Sequence, residues 1–227
     1  MIQDALQALR EGKFILLYDF DDREGETDFA IRADRVMPAD VARMRRDGGG
    51  LICTAIPSRA ADRLGLPFAT DLLRSCPGME GMAGPVPYDP KNRSSFSLWV
   101  NHRDTWTGVT DNDRALTIRA IADQVSMTLN GGGENFHSQF RSPGHVALLR
   151  ADEKLLDQRR GQTELSIALA TMAGITPAIT ICEMLDDESG YALSKEDAKL
   201  YARKHKLEFV EGPEVLEAWE KAKKDRK

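Results

Sequence analysis

Residues 21–28 read DDREGETD and place carboxylates at Asp22, Glu24, Glu26 and Asp28. In an extended backbone alternate side chains point the same way, so these four would face one side and Arg23, Gly25 and Thr27 the other. Carboxylates so placed repel one another unless a cation or water lies between them. Hard divalent cations such as Mg²⁺ take oxygen ligands of this kind. A solvated acidic loop would show the same spacing. Position favours a ligand site, because the segment leaves the end of an apolar strand, where α/β folds place their ligands.

A second segment, RRGQTEL at 159–165, leads into an apolar run. A helix start offers free N–H groups and a positive dipole end, which suits a phosphate. Arg159 or Arg160 can add charge-assisted bonds, although an ordinary capped helix with surface arginines fits too. Glu183 lies inside the apolar run AITICEML. A carboxylate there is costly unless paired or near solvent, and at a strand end it can act as a general base. His145 follows Pro143 and Gly144 at a strand start, a position that can aim a side chain into a cleft. His137, in GGGENFHSQF, reads as loop. Cys53 and Cys182 read as small buried hydrophobes.

The elements that must hold these residues alternate. IQDALQALREG has helical spacing and ends at Gly12, and FILLYDF (14–20) is a buried strand. FAIRADRV alternates like a half-covered strand, and PADVARMRRDGGG (38–50) is a helix stopped by glycines. LICTAI (51–56) is a strand, and SRAADRLGL a short helix opened by Ser58. Residues 74–95, rich in proline and glycine, form a long loop of the kind that closes over sites. FSLWVNH (96–102) is a strand. Residues 110–129 form a helix capped by Thr110 or Asp111, with Ile118, Ile121 and Val125 on one face, and GGGENF breaks it. HVALLRA (145–151) is a strand entered through the turn SPG. TELSIALATMAG (163–174), AITICEML (178–185), a helix capped by Ser194, the strand LEFV and the helix PEVLEAWEKAKK complete the chain. This order predicts one α/β layered domain over 1–227, with helices against a parallel or mixed sheet.

The 227 residues carry a net charge of −5, so no global field draws nucleic acid or an anionic membrane. The tail KAKKDRK reads as a solvated helix end. Three cysteines without C-x-x-C spacing exclude a disulfide framework and a zinc ribbon. No segment has the form of a signal peptide or a membrane span, so a cytoplasmic protein is expected.

Several stretches together resemble 3,4-dihydroxy-2-butanone 4-phosphate synthase, a family of riboflavin biosynthesis. They are DDREGETDF (21–29), GGLICTA (49–55), TGVTDNDRA (107–115), FRSPGHVALLRA (140–151), RRGQTE (159–164) and ICEML (181–185). Their order and spacing match over nearly the whole chain, and NHRDTWTGVTDNDR is most similar to archaeal members. The resemblance implies a homodimer of three-layer α/β/α type with a mixed sheet and active sites near the subunit interface. It implies conversion of ribulose 5-phosphate, with Mg²⁺ or Mn²⁺, to 3,4-dihydroxy-2-butanone 4-phosphate and formate. It also implies Glu24 as metal ligand with Glu26 close by, and Arg23, Asp28 and Thr110 as substrate contacts. Arg159, Arg160, Gly161 and Thr163 fall in the segment that holds the substrate. His145, Glu183 and Glu26 take catalytic positions, Glu183 also touching substrate.

The family pattern is Arg-x-Gly-His-Thr-Glu, and its His is a metal ligand; here Gln162 stands in that place. A glutamine carbonyl can ligate Mg²⁺ but exchanges no proton near neutral pH. Three readings follow: a natural variant that keeps activity with His145 handling protons, a substitution that slows the reaction so that substrate stays bound, or divergence to a related lyase or isomerase on another sugar phosphate. The alternative to the lyase is thus an impaired or diverged sugar-phosphate-binding homologue.

Overall fold

The computed structural model describes residues 2–132 and 135–225. In chain order the elements are α1 (Ile2–Arg10), β1 (Ile15–Tyr18), β2 (Thr27–Arg32), α2 (Pro38–Asp47), β3 (Cys53–Ile56), α3 (Ser58–Arg63), α4 (Ala69–Ser75) and β4 (Phe96–His102). They continue with α5 (Asp111–Leu129), α6 (Phe136–Gln139), β5 (Phe140–Arg150), α7 (Gln162–Ala173), β6 (Ile179–Glu183), α8 (Lys195–His205), β7 (Glu208–Glu211) and α9 (Gly212–Asp225).

One seven-stranded sheet runs β4-β5-β3-β6-β2-β1-β7. It is mixed: β3 pairs with β5 and β1 with β7 in parallel, and the other neighbours are antiparallel. Successive strand residues face opposite sides, and each side has its own core. Leu16, Phe29, Ile31 and Leu148 pack with Val41 and Met44 of α2 and Ile118, Ile121 and Val125 of α5. Ile15, Leu17, Ala30 and Ile181 pack with Leu6 and Leu9 of α1 and Leu165, Ala168 and Leu169 of α7. The result is the expected three-layer α/β/α arrangement. Among the described residues, no helix is long and apolar enough to cross a membrane.

Local differences from the sequence reading have physical causes. β2 is buried on both faces rather than half-covered, because helices pack on both sides of the sheet there, Phe29 and Ile31 entering one core and Ala30 the other. Pro57 takes the N-cap of α3, and Ser58 Oγ turns to Asp62 instead. Thr110 and Ser194 do cap α5 and α8, accepting from Asp113 N and Asp197 N at 3.1 Å. The loop 74–95 takes up the end of α4, which the sequence did not signal, and a 3₁₀ turn at Glu80–Met82. His137 lies in α6 rather than in a loop. SPG is not a turn before β5 but part of it. A Cβ on Gly144 would sit 2.0 Å from Val100 C, so only glycine lets β4 approach there, where the register shifts. Gly133 and Glu134 of the expected helix break, and Arg226 and Lys227 of the basic tail, lie outside the described residues.

Candidate active site

A cavity of about 350 Å³ opens at one end of β2, β3 and β6, on the side covered by α7. Asp28, at the start of β2, is paired in register with Glu183, at the end of β6. Residues directly opposite in an antiparallel ladder share a face, so the two carboxylates stand side by side in the cavity wall. Arg23, Glu24, Glu26, Cys53, Arg159, Gln162 and Thr163 complete much of the lining. These residues, Cys53 apart, are all ones that the sequence had singled out for the site; Tyr88, Ser94 and Ser95, which also line the cavity, are not.

The acidic loop is not extended. Residues 21–24 form a turn, which throws Asp22 out to solvent and leaves Glu24, Glu26 and Asp28 at the cavity. Asp19 shapes this turn. It is fully buried at the end of β1 and accepts from Arg23 Nη1, Glu24 N and Glu26 N, each at 3.1 Å. The Arg23 guanidinium also reaches Glu24 at 2.9 Å and packs 5.2 Å from the ring centroid of Tyr88, on the loop 74–95. Its Nε and Nη2 are buried without a hydrogen bond from the protein.

α7 begins against this loop. Gly161 is its N-cap, and a Cβ there would meet Arg159 Nη1 at 2.2 Å and Arg23 Nη2 at 2.9 Å. A side chain there would have to displace one or both of the guanidinium groups that close over the backbone. Arg159 pairs with Glu164, which is wholly buried and also accepts from Asp152 N at 2.9 Å. Gln162, 5% exposed, donates Nε2 to Leu17 O and to Glu26 O, both at 3.0 Å. Its Oε1 accepts nothing from the protein.

The crowding of carboxylates shows in their protonation. Burial, reinforced by Glu24, Glu183 and Asp19, pushes Glu26 up to about 7. Burial, and next the charge of Glu183, hold Asp28 well above the usual carboxylate range. Glu183 is raised by burial and then by Glu24, with a backbone hydrogen bond opposing. Both Asp28 oxygens lack a hydrogen-bond donor. Buried acceptors without donors and with neighbouring negative charge fit a bound cation. Among the described residues no three His, Cys, Asp or Glu side chains are arranged to hold a metal by themselves. Glu24 and Glu26 with the Gln162 carbonyl supply three oxygens, which suits Mg²⁺.

Besides Gly161, the N-cap of α7, three expected site residues do not line this cavity within one chain. Arg160 is exposed and does not line the cavity. Thr110 is spent on capping α5. His145 is exposed on β5, where Asn101 Nδ2 donates to its Nδ1 at 3.1 Å. Asn101 is itself oriented by accepting from His145 N at 2.8 Å. Asp19, Tyr88 and Asn101 were not singled out by sequence. Asp19 alone left a trace, as a charge ending an apolar strand.

The family model for 3,4-dihydroxy-2-butanone 4-phosphate synthase matches residues 3–218. The enzyme of that name from Methanosarcina mazei is 56% identical over 96% of this chain and 90% of its own length. That from Archaeoglobus fulgidus is 54% identical over 96% and 94%. A crystal structure of a 3,4-dihydroxy-2-butanone 4-phosphate synthase in complex with two magnesium ions superposes with a TM-score of 0.79 at 27% identity, covering 98% of this chain and 97% of that one.

Proposed function

We propose a function for this chain from the premise that it belongs to the 3,4-dihydroxy-2-butanone 4-phosphate synthase family. It is a Mg²⁺-dependent lyase of riboflavin biosynthesis that splits ribulose 5-phosphate into 3,4-dihydroxy-2-butanone 4-phosphate and formate. The observation that carries this reading is the convergence of Glu24, Glu26, Asp28, Glu183 and the free Gln162 carbonyl on one cavity.

Mg²⁺, when held by Glu24, Glu26 and Gln162, supplies positive charge beside the substrate carbonyl and so acidifies the adjacent C–H. The chain's residues do the rest. The substrate phosphate takes the start of α7, where unpaired N–H groups and Arg159 face it. Glu183, in its carboxylate form, takes the proton next to the carbonyl, its raised affinity for protons suiting it as a base, and Glu26, poised near 7, returns protons as the C1 hydroxyl leaves as water. The chain then rearranges, and a water adds to C4 before that carbon leaves as formate; the water lost at C1 is thereby regained, and five carbons become four and one. Arg23 holds the sugar oxygens through Nε and Nη2, which make no hydrogen bond within the protein.

His145 enters from a second copy. The face that carries His145 and Thr110 also exposes Trp106, 91% accessible, and Trp99. Exposed aromatic residues of this kind mark a protein contact, and a homodimer through this face brings the partner's proton donor to the cavity mouth. The loop 74–95 closes the cavity over the substrate, with Tyr88 against Arg23 as its inner contact.

The test is formate release from ribulose 5-phosphate with Mg²⁺, run beside Gln162→His. Formate from the unsubstituted chain supports the lyase. Formate from neither protein overturns it, and formate from the variant alone would make this chain a binding-competent form without turnover.

A further inference from the structure

We infer that Gln162 sets the metal selectivity of this centre, because it presents a carbonyl oxygen where a nitrogen ligand would favour borderline ions such as Zn²⁺. The inference rests on the metal-centre reading above. The amide has one possible orientation. Nε2 lies 3.0 Å from Leu17 O and 3.0 Å from Glu26 O. Carbonyl oxygens accept and cannot donate, so the atom that faces them is the NH₂, whose two hydrogens match two acceptors. Reversing the amide would set oxygen against two carbonyl oxygens and lose both bonds in a buried place. Oε1 is therefore fixed on the side of the amide away from those two carbonyls, on a residue that lines the cavity with Glu24 and Glu26, and it is buried without a hydrogen bond from the protein.

An imidazole in this place could not reproduce the lock. With one nitrogen bound to a metal it has a single N–H, enough for one of the two carbonyls. The amide satisfies both and keeps its oxygen for the cation. Two carboxylates and an amide carbonyl form an all-oxygen set, which suits Mg²⁺, Mn²⁺ and Ca²⁺, whereas imidazole draws Zn²⁺, Co²⁺ and Ni²⁺. Cys53 also lines the cavity, but its thiol is turned to Leu51 O at 3.6 Å. The amide thus acts as a specificity-determining ligand and, through Glu26 O, as the tie that holds the acidic loop at the start of α7.

Metal titration of the chelator-stripped full chain tests this without reference to turnover. Mn²⁺ binding is followed by electron paramagnetic resonance and Zn²⁺ binding by calorimetry, for the unsubstituted chain, Gln162→His, Gln162→Leu and Glu24→Gln, each checked for native circular dichroism. Most sites bind Zn²⁺ above Mn²⁺ to some degree, so the change in their affinity ratio is the readout. Gln162→His should raise the Zn²⁺-to-Mn²⁺ ratio by roughly tenfold or more. Gln162→Leu should weaken Mn²⁺ by roughly tenfold; where that variant does not fold, the ratio for Gln162→His decides. Loss of Mn²⁺ in Glu24→Gln with an unchanged ratio in Gln162→His overturns the selectivity inference and leaves the metal centre standing. Unchanged Mn²⁺ binding in Glu24→Gln removes the metal centre and the inference with it.

Discussion

Asp28 and Glu183 are paired across the ladder between β2 and β6, and both carboxylates line the same cavity. Like charges directly opposite are destabilising, and nothing in the protein donates to Asp28. The fold spends stability here to keep negative charge concentrated at one point.

This arrangement makes metal-free stability fall with pH. Glu26, at about 7, Asp28 and Glu183 are all raised above their unfolded values. The folded chain therefore holds protons that the unfolded chain releases. Their contribution is full below about pH 4 and is lost as pH rises through the folded values, near 7 for Glu26. Between pH 5 and 8 without metal, the unfolding free energy should drop by about 1–2 kcal/mol, the shift of Glu26 being discounted for its partial exposure. Mg²⁺ should flatten the dependence. A flat profile in chelator would contradict the crowding.

Asp19 is expected to be a positioning residue. Asp19→Ala removes three acceptor contacts and leaves Arg23 with less compensation in a buried place. Breaking a buried ion pair from one side costs about 3–5 kcal/mol. Urea unfolding should show that loss, and Mn²⁺ affinity should fall with it because Glu24 and Glu26 lose their backbone anchor. Retained Mn²⁺ affinity in a folded variant would limit Asp19 to stability.

Glu164 holds Arg159 in place from within α7. Burial raises its carboxyl above the usual range, with Arg159 opposing. Glu164→Ala should destabilise by about 3–5 kcal/mol, since it strands a buried guanidinium. Of the kinetic constants, KM for ribulose 5-phosphate should rise more than kcat falls, if Arg159 positions phosphate. A KM that stays at the unsubstituted value would assign that task elsewhere.

A shared site predicts complementation. Glu24→Gln and His145→Ala should each be inactive. Mixed and reassembled as a C2 dimer, they should regain up to roughly a quarter of the unsubstituted activity, because half the dimers are mixed and each mixed dimer has one intact site. Sedimentation would establish the dimer independently. A mixture that stays inactive while forming mixed dimers would place His145 with its own chain's cavity.

Much of the architecture could be read from periodicity. The long helix over Asp111–Leu129 and the apolar run of α7 announce themselves, because burial of one face or of all faces leaves a regular record. Short-range geometry was less legible. Alternating carboxylates at 22–28 suggested an extended segment, but Asp19 draws the backbone amides of Glu24 and Glu26 into a turn. That competition between a buried acceptor and local extension leaves no periodic mark. SPG likewise reads as a turn from its residue types, yet close packing of β4 on Gly144 keeps it in β5.

Alone, the sequence picked out residues that the fold brings together: Glu24, Glu26, Asp28, Arg159, Gln162, Thr163 and Glu183 all line one cavity. Motif spacing suffices for this, because each group sits beside the end of an element whose direction the hydrophobic pattern betrays. Only the tertiary structure decided how those groups face. Register set Asp28 against Glu183, two carbonyls from separate segments fixed the amide of Gln162, and the fold left His145 and Thr110 exposed outside the cavity's lining. Such contacts join residues more than a hundred positions apart, and their energies depend on burial and hydrogen-bond partners that no local pattern records.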